Sequence, residues 1–180
     1  MKKTQGIVLL CFALIATFVA CDKIDELTHF KLEYQKTVTI PSSAVVDLPF
    51  NVQSPEIESN AETEFESNHT RKDLVEKIEL TKMELRIKSP EDGNFNFLNS
   101  IEVYIYSEQH EEVKIAYLED IPADGRQKLK LNTVRKNLMK YIKEDHFKLR
   151  LATRTDEVIT RNHEILVDTE FFVDAKILGI

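Results

Sequence analysis

Alternation of apolar and polar residues with a period of two recurs along this chain and restricts it to strands with one dry and one wet face. Met83, Leu85 and Ile87 alternate with Lys82, Glu84, Arg86 and Lys88, so this strand is apolar on one side and charged on the other. The same spacing returns at Ile101, Val103 and Ile105, at Val113, Ile115 and Tyr117, at Leu129 and Leu131, at Phe147, Leu149 and Leu151, and at Phe171, Val173, Ala175 and Ile177. Phe30, Leu32, Tyr34, Val38 and Ile40 keep it as well, with a break at Lys36 and a stop at Pro41. Val45, Val46, Leu48 and Phe50 form a shorter, less regular strand candidate near Pro49 and Pro55, since proline cannot donate to a ladder.

Between these runs the signals change. Leu74, Val75 and Ile78 have i, i+1, i+4 spacing behind Thr70 and Asp73, which predicts a short capped helix. A second helix is predicted from Thr133 to about Glu144, with Val134, Leu138, Tyr141 and Ile142 on one side and Arg135, Lys136, Lys140 and Lys143 on the other. Glu56 to Ser67 is acidic and polar around Ile57 and Phe65, the pattern of an edge strand or ordered loop. Asp92-Gly93 and Asp124-Gly125 supply turn chemistry between strands. Eight or nine short strands with two short helices predict a mainly β chain, an antiparallel β-sandwich forming a single domain over residues 30–180.

The N-terminus has a different organisation. Lys2 and Lys3 precede an apolar stretch from Ile7 to Ala20, and Cys21 follows it directly. That stretch is fourteen residues long, short of the roughly 20 an α-helix needs to span a bilayer core. Ordinary secretory cleavage after Ala20 would set bulky Phe18 where a small residue is preferred. The run Phe18-Val19-Ala20-Cys21 resembles the lipobox of bacterial lipoproteins. The resemblance implies that residues 1–20 are a lipoprotein signal peptide and that Cys21 becomes the acylated first residue of the mature chain. It also implies a lipid-anchored protein of the Gram-negative cell envelope, held at the outer membrane. Asp22, Lys23, Asp25 and Glu26 then resemble the acidic tether of small Bacteroidetes-type lipoproteins, over residues 21–29. Cell surface and periplasmic face both stay open on this basis.

Export removes Lys2, Lys3 and Cys11, leaving 22 basic against 31 acidic residues, a formal charge of −9, with no cysteine other than Cys21. A domain of this size buries about 68–70% of its unfolded surface, so the fold is expected to rest on its core, without disulfides. Acids interleave the Lys and Arg residues throughout, which argues against nucleic acid as a partner.

Few chemistries find their residues. Of four glycines Gly6 leaves with the signal, so a glycine-rich phosphate loop cannot form, and G-x-S-x-G and S-x-x-K are absent. His110-Glu111-Glu112 begins like a zinc protease helix, but its second histidine position holds Lys114. Asp92, Asn94 and Asn96 have the 1-3-5 spacing of a calcium loop, yet Phe97 and Val103 stand where glycine and an acid are needed. Tyr104 and Tyr106, with Tyr117 or Phe95, would make an aromatic platform for a glycan or peptide, although cover by a neighbouring loop or helix is the favoured expectation. Asp156, Glu157 and His163, beside Glu164, are the candidates for a polar site.

No catalytic residue, metal site or cofactor is assigned from these patterns. The expected role is a non-enzymatic binding or accessory module of the envelope, attached to the membrane through its N-terminal lipid and engaging an envelope protein or an extracellular ligand. The alternative is an envelope hydrolase or metal-dependent enzyme whose acids meet only in three dimensions, since a glycosidase needs no more than two carboxylates at the right separation.

Overall fold

A computed structural model of the chain describes residues 29–42, 50–155 and 157–176. Cys21, Asp156, Val45, Val46, Leu48 and Ile177 lie outside them. The described chain is an antiparallel β-sandwich. Its strands are β1 (His29–Ile40), β2 (Phe50–Gln53), β3 (Ile57–Glu58), β4 (Val75–Ser89), β5 (Leu98–Tyr106), β6 (Val113–Leu118), β7 (Lys128–Lys130), β8 (Asn132–Thr133), β9 (His146–Thr155) and β10 (His163–Ala175). Two short helices accompany them, α1 (Ala61–Ser67) and α2 (Met139–Ile142). The strand count of ten exceeds the expected eight or nine because β3 and β8 are two-residue pairings too short to carry a period.

One sheet has the order β1-β10-β4-β7, the other β2-β9-β5-β6-β8, with β3 also on β9. Strands β1 and β10 pair over their whole overlap, from His29 opposite Asp174 to Ile40 opposite His163, so the first and last strands close one side of the fold. Leu32, Tyr34, Val38 and Ile40 face inward from β1, and Ile165, Val167, Phe171 and Val173 from β10, all buried. Across the gap Phe147 meets Tyr34 edge to face at 5.2 Å and Phe171 at 6.4 Å, while Tyr34 and Phe171, neighbours in one sheet, meet at 5.8 Å. These rings join the two sheets, which is the load a cysteine-free core must carry.

The strand expected through Leu129 and Leu131 is broken, and the chain changes sheets directly after Leu131. The chain leaves β7, buries Leu131, whose N–H donates to the Met83 carbonyl at 3.0 Å, and enters β8 in the opposite sheet. Ser54 makes a second irregular junction. It interrupts the edge between β2 and β3, where Pro55 cannot donate a hydrogen bond. The Ser54 N–H donates to the Leu149 carbonyl at 2.8 Å, and the Leu149 N–H donates back to Ser54 Oγ at 2.9 Å. A side chain thus completes a ladder that the backbone leaves open.

One helix lies elsewhere than the periodicity places it, and the other is shorter than the periodicity predicts. Residues 75–78 open β4, because Val75 and Ile78 pair with Ala175 and Val173 across a bulged register. Helix α1 falls instead in the acidic segment, with Ala61 and Phe65 buried one turn apart and Phe65 edge to face with Phe30 at 6.0 Å. Glu62 and Glu64 occupy its first turn, where the helix dipole favours acids. The second segment is helical only at Met139–Ile142. Before it, Val134 donates to Ile115 and Leu138 to Ile78, so strand partners take the amides a longer helix would need.

Of the two expected turn glycines, Gly125 has φ of +78°, and Gly93 sits where a Cβ would come within 2.8 Å of the Pro90 carbonyl oxygen. One glycine is required by conformation and the other by space.

Candidate site on the outer face of the second sheet

The sequence candidates do not form a site as a group. His163 is the buried residue at the start of β10; its ring lies 4.7 Å from that of Phe97, and its Nδ1 is 2.9 Å from the Arg161 carbonyl. Burial holds its imidazole below the ordinary value, favouring the neutral form. Glu157 is exposed, and Asp156 lies outside the described residues. Among the described residues no group of three His, Cys, Asp or Glu side chains converges as a metal site.

The calcium-like triplet is spent on the fold. Asp92 accepts from Arg161 at 2.9 and 3.1 Å, Asn94 Oδ1 accepts the Asn96 N–H at 3.0 Å, and Asn96 Oδ1 accepts the Gly125 N–H at 2.7 Å. These bonds tie together the loops at one end of the sandwich.

A denser arrangement occupies the outer face of the second sheet. Strand register aligns Gln53, Arg150, Tyr104 and Lys114 in one row across β2, β9, β5 and β6, and Asn51, Ala152, Glu102 and Tyr117 in the next. All point outward, because each alternates with buried neighbours such as Leu149, Leu151, Val103 and Ile105. Small Ala152 leaves room beside it for the longer side chains of the adjoining row.

Arg150 is the centre of this face. Its guanidinium carbon stands 4.1 Å from the centre of the Tyr104 ring, a cation–π distance. Its Nη1 donates to Asn51 Oδ1 at 2.5 Å, and Nε and Nη2 donate to the two carboxylate oxygens of Glu112 at 2.6 and 2.7 Å. Arginine's planar fork matches a carboxylate in this bidentate way, which lysine cannot reproduce. Tyr104 is oriented in turn by its hydroxyl, which donates to Glu102 at 2.7 Å; Lys114 donates to the other Glu102 oxygen at 2.9 Å. The Tyr104 hydroxyl and Lys114 hold the Glu102 carboxyl below its usual range, and the hydrogen bond to Glu102, with burial, pushes the Tyr104 phenol up. Arg150 likewise lowers Glu112.

Beside Arg150 opens a cavity of about 380 Å³ lined by Gln53, Tyr106, Ser107, His110 and Glu112 among others. A second, of about 440 Å³, lies across residues 106–109 and includes Lys72, His146 and Lys148 in its walls. The loop between β5 and β6 separates them. It is fastened by the Tyr141 hydroxyl, which donates to the Glu111 carbonyl at 2.7 Å, and by the Arg150–Glu112 pair. In this arrangement Ser107 Oγ is buried without a hydrogen bond, an unfavourable state for a hydroxyl.

No family model matches this chain, and no curated protein matches it. Among solved structures it is similar to the crystal structure of FLHE, at 10% identity and a TM-score of 0.34 over 81% of this chain and 97% of that one. CpGH89CBM32-5 from Clostridium perfringens, in complex with GalNAc-beta-1,3-galactose, is similar at 11% identity and a TM-score of 0.32, over 78% of this chain and 97% of that one. The turnip yellow mosaic virus structure at 100 K is similar at 11% identity and a TM-score of 0.29, over 84% and 96%.

Of the sequence-level platform, Tyr104 and Tyr117 do share the outward face, while Phe95 is fully buried against Phe97 at 6.2 Å and does not belong to it. The cover over Tyr104 comes from Arg150 on the neighbouring strand, where a loop or helix was expected. Sequence reasoning passed over Arg150, Glu112, Asn51 and Gln53. The outward parity of Arg150 between Leu149 and Leu151 was legible; its neighbours depend on which strands pair.

Proposed function

We propose that this protein is a non-enzymatic lipoprotein of the cell envelope, anchored through Cys21, whose sandwich binds a ligand at the outer face of the second sheet. The observation that carries the binding role is Arg150, oriented by Tyr104 and Asn51 at the mouth of the cavity. Binding sites combine a preformed concavity with a few placed polar groups, and this face combines both. The anchor rests on the sequence alone, on the charged start, the apolar run and Cys21. Several acyl chains on that cysteine, at about 0.8 kcal/mol per buried CH₂, hold a protein at a membrane stably. The hydrolase alternative lacks a comparable observation, since His163 packs inward on Phe97.

A photo-crosslinking residue placed at Gln53 in cells tests the site, with the same residue at Lys82 on the outer face of the first sheet as control. Labelling from position 53 that Arg150→Ala abolishes is the expected result. Equal labelling from both positions, or labelling indifferent to Arg150→Ala, refutes the assignment. The anchor is tested separately: Cys21→Ala is expected to move the protein from the membrane to the soluble fraction, and retention at the membrane would refute it.

A further inference from the structure

Tyr106 is the outward tyrosine that the sheet leaves uncovered. It ends β5 opposite Lys148, on the face away from buried Ile105. Arg150 covers the Tyr104 ring at 4.1 Å, and Lys114 Nζ lies 5.7 Å from the centre of the Tyr117 ring. Among the described residues, by contrast, no cation or second ring is set against Tyr106, and its hydroxyl makes no hydrogen bond. Its side chain is half-buried, and it belongs with residues 107–109 to the walls of both cavities. A flat ring with a polar tip therefore stands where concavities of about 380 and 440 Å³ meet.

The charges around that ring select against ions of either sign. Arg150 is saturated by Glu112 and Asn51, and Lys148 is paired with Glu56 at 2.9 Å, so neither is free for an acid. Glu108 and Glu111 are exposed in the walls and repel an anion. A cation would lie beside Arg150, Lys148 and Lys72, which stand in the same walls. What the walls offer instead is neutral hydrogen bonding. The Glu108 and Glu111 carboxylates accept from hydroxyls, while the Gln53 and Gln109 amides both donate and accept.

We infer that Tyr106 is the stacking residue of a neutral-oligosaccharide site, with adjacent sugar units in the two cavities on either side of it. This rests on the binding-module reading of the same face and names its ligand class. A sugar ring packs its C–H face on an aromatic ring and turns its hydroxyls to the polar groups around it. Each cavity has the size of a small-ligand site. The Arg150–Glu112 pair fastens the loop that carries Glu108 and Gln109, which makes the site depend on Arg150.

The test is a nuclear magnetic resonance titration of the full chain, held in detergent, with its five tyrosine rings isotope-labelled. The probes are cellotetraose, mannotetraose and N-acetylchitotetraose, with spermidine and trigalacturonate as the cationic and anionic comparisons. At least one tetrasaccharide is expected to shift the Tyr106 ring resonance and leave that of buried Tyr34 in place. Spermidine and trigalacturonate are expected to bind at least tenfold more weakly. Tyr106→Ala is expected to weaken the bound tetrasaccharide at least tenfold, and Tyr106→Phe, which keeps the ring, to weaken it less. Circular dichroism checks that both variants fold, and the ring shift in the unaltered protein is independent of them.

An unmoved Tyr106 ring with all three tetrasaccharides, or equal affinity in Tyr106→Ala, overturns the proposal. Spermidine or trigalacturonate binding as tightly as the best tetrasaccharide overturns the neutral-sugar assignment. If every tetrasaccharide fails while crosslinking from position 53 still depends on Arg150, only the ligand class is wrong; if both fail, the binding-module reading falls as well.

Discussion

Replacing Ser54 with alanine removes one oxygen at a point where the sheet depends on a side chain. Ser54 is 5% exposed, and its Oγ accepts the Leu149 N–H at 2.9 Å while donating to the Pro55 carbonyl at 2.8 Å. In Ser54→Ala the Leu149 amide loses its acceptor in a region closed to water, and the Pro55 carbonyl loses a donor. The Ser54 N–H to Leu149 carbonyl bond survives, because it is backbone to backbone. An unsatisfied buried donor costs about 1–3 kcal/mol, and alanine leaves only an oxygen-sized gap, so the loss is placed at about 2 kcal/mol. For a domain of this size that lowers Tm by about 4–8 °C. Urea unfolding followed by circular dichroism measures it, with an unchanged slope expected because the surface exposed on unfolding is the same. Amide exchange gives the local signature, faster exchange at Leu149 than the global loss explains. A destabilisation below about 0.5 kcal/mol with unchanged slope would show that this hydroxyl is not completing the ladder.

Phe171→Ala empties a fully buried site between Tyr34 and Phe147, and a loss of about 3–5 kcal/mol is expected in the same urea experiment; less than about 1.5 kcal/mol would mean that the two sheets do not meet through these rings. His163 has a folded value depressed by burial from an ordinary 6.5. Its contribution to stability is thus fully present above the ordinary value and is lost as pH falls through the lower folded value. Unfolding measured between pH 7.5 and pH 5 should lose that part of its slope in His163→Gln, and an unaltered slope would contradict the burial of a neutral ring.

How much of this was open to a reader of the sequence depends on the range over which each feature is decided. Period-two alternation is local: whether Leu85 or Glu84 faces the core follows from the pleat once residues 82–88 are extended, which is why the sandwich and most of its buried residues could be anticipated. Helix placement fell between local and global. Leu74, Val75 and Ile78 have helical spacing, but hydrogen bonds to β10 offered the backbone a competing arrangement, and tertiary pairing prevailed over propensity. Phe65 gave too faint a signal within the acidic segment for α1 to be read.

The sequence by itself determined the charge balance, the cysteine-free core and the parity of most strands, because these depend on composition and on residues adjacent in the chain. Only the tertiary structure decided that Arg150 would lie between Gln53 and Tyr104, opposite the loop bearing Glu112. Strand order and register are set by contacts between residues about 40 to 100 positions apart, and a slip of one residue would turn the whole row into the core. The candidate site is made of such cross-strand neighbours, so it came into existence only when the sheet was assembled.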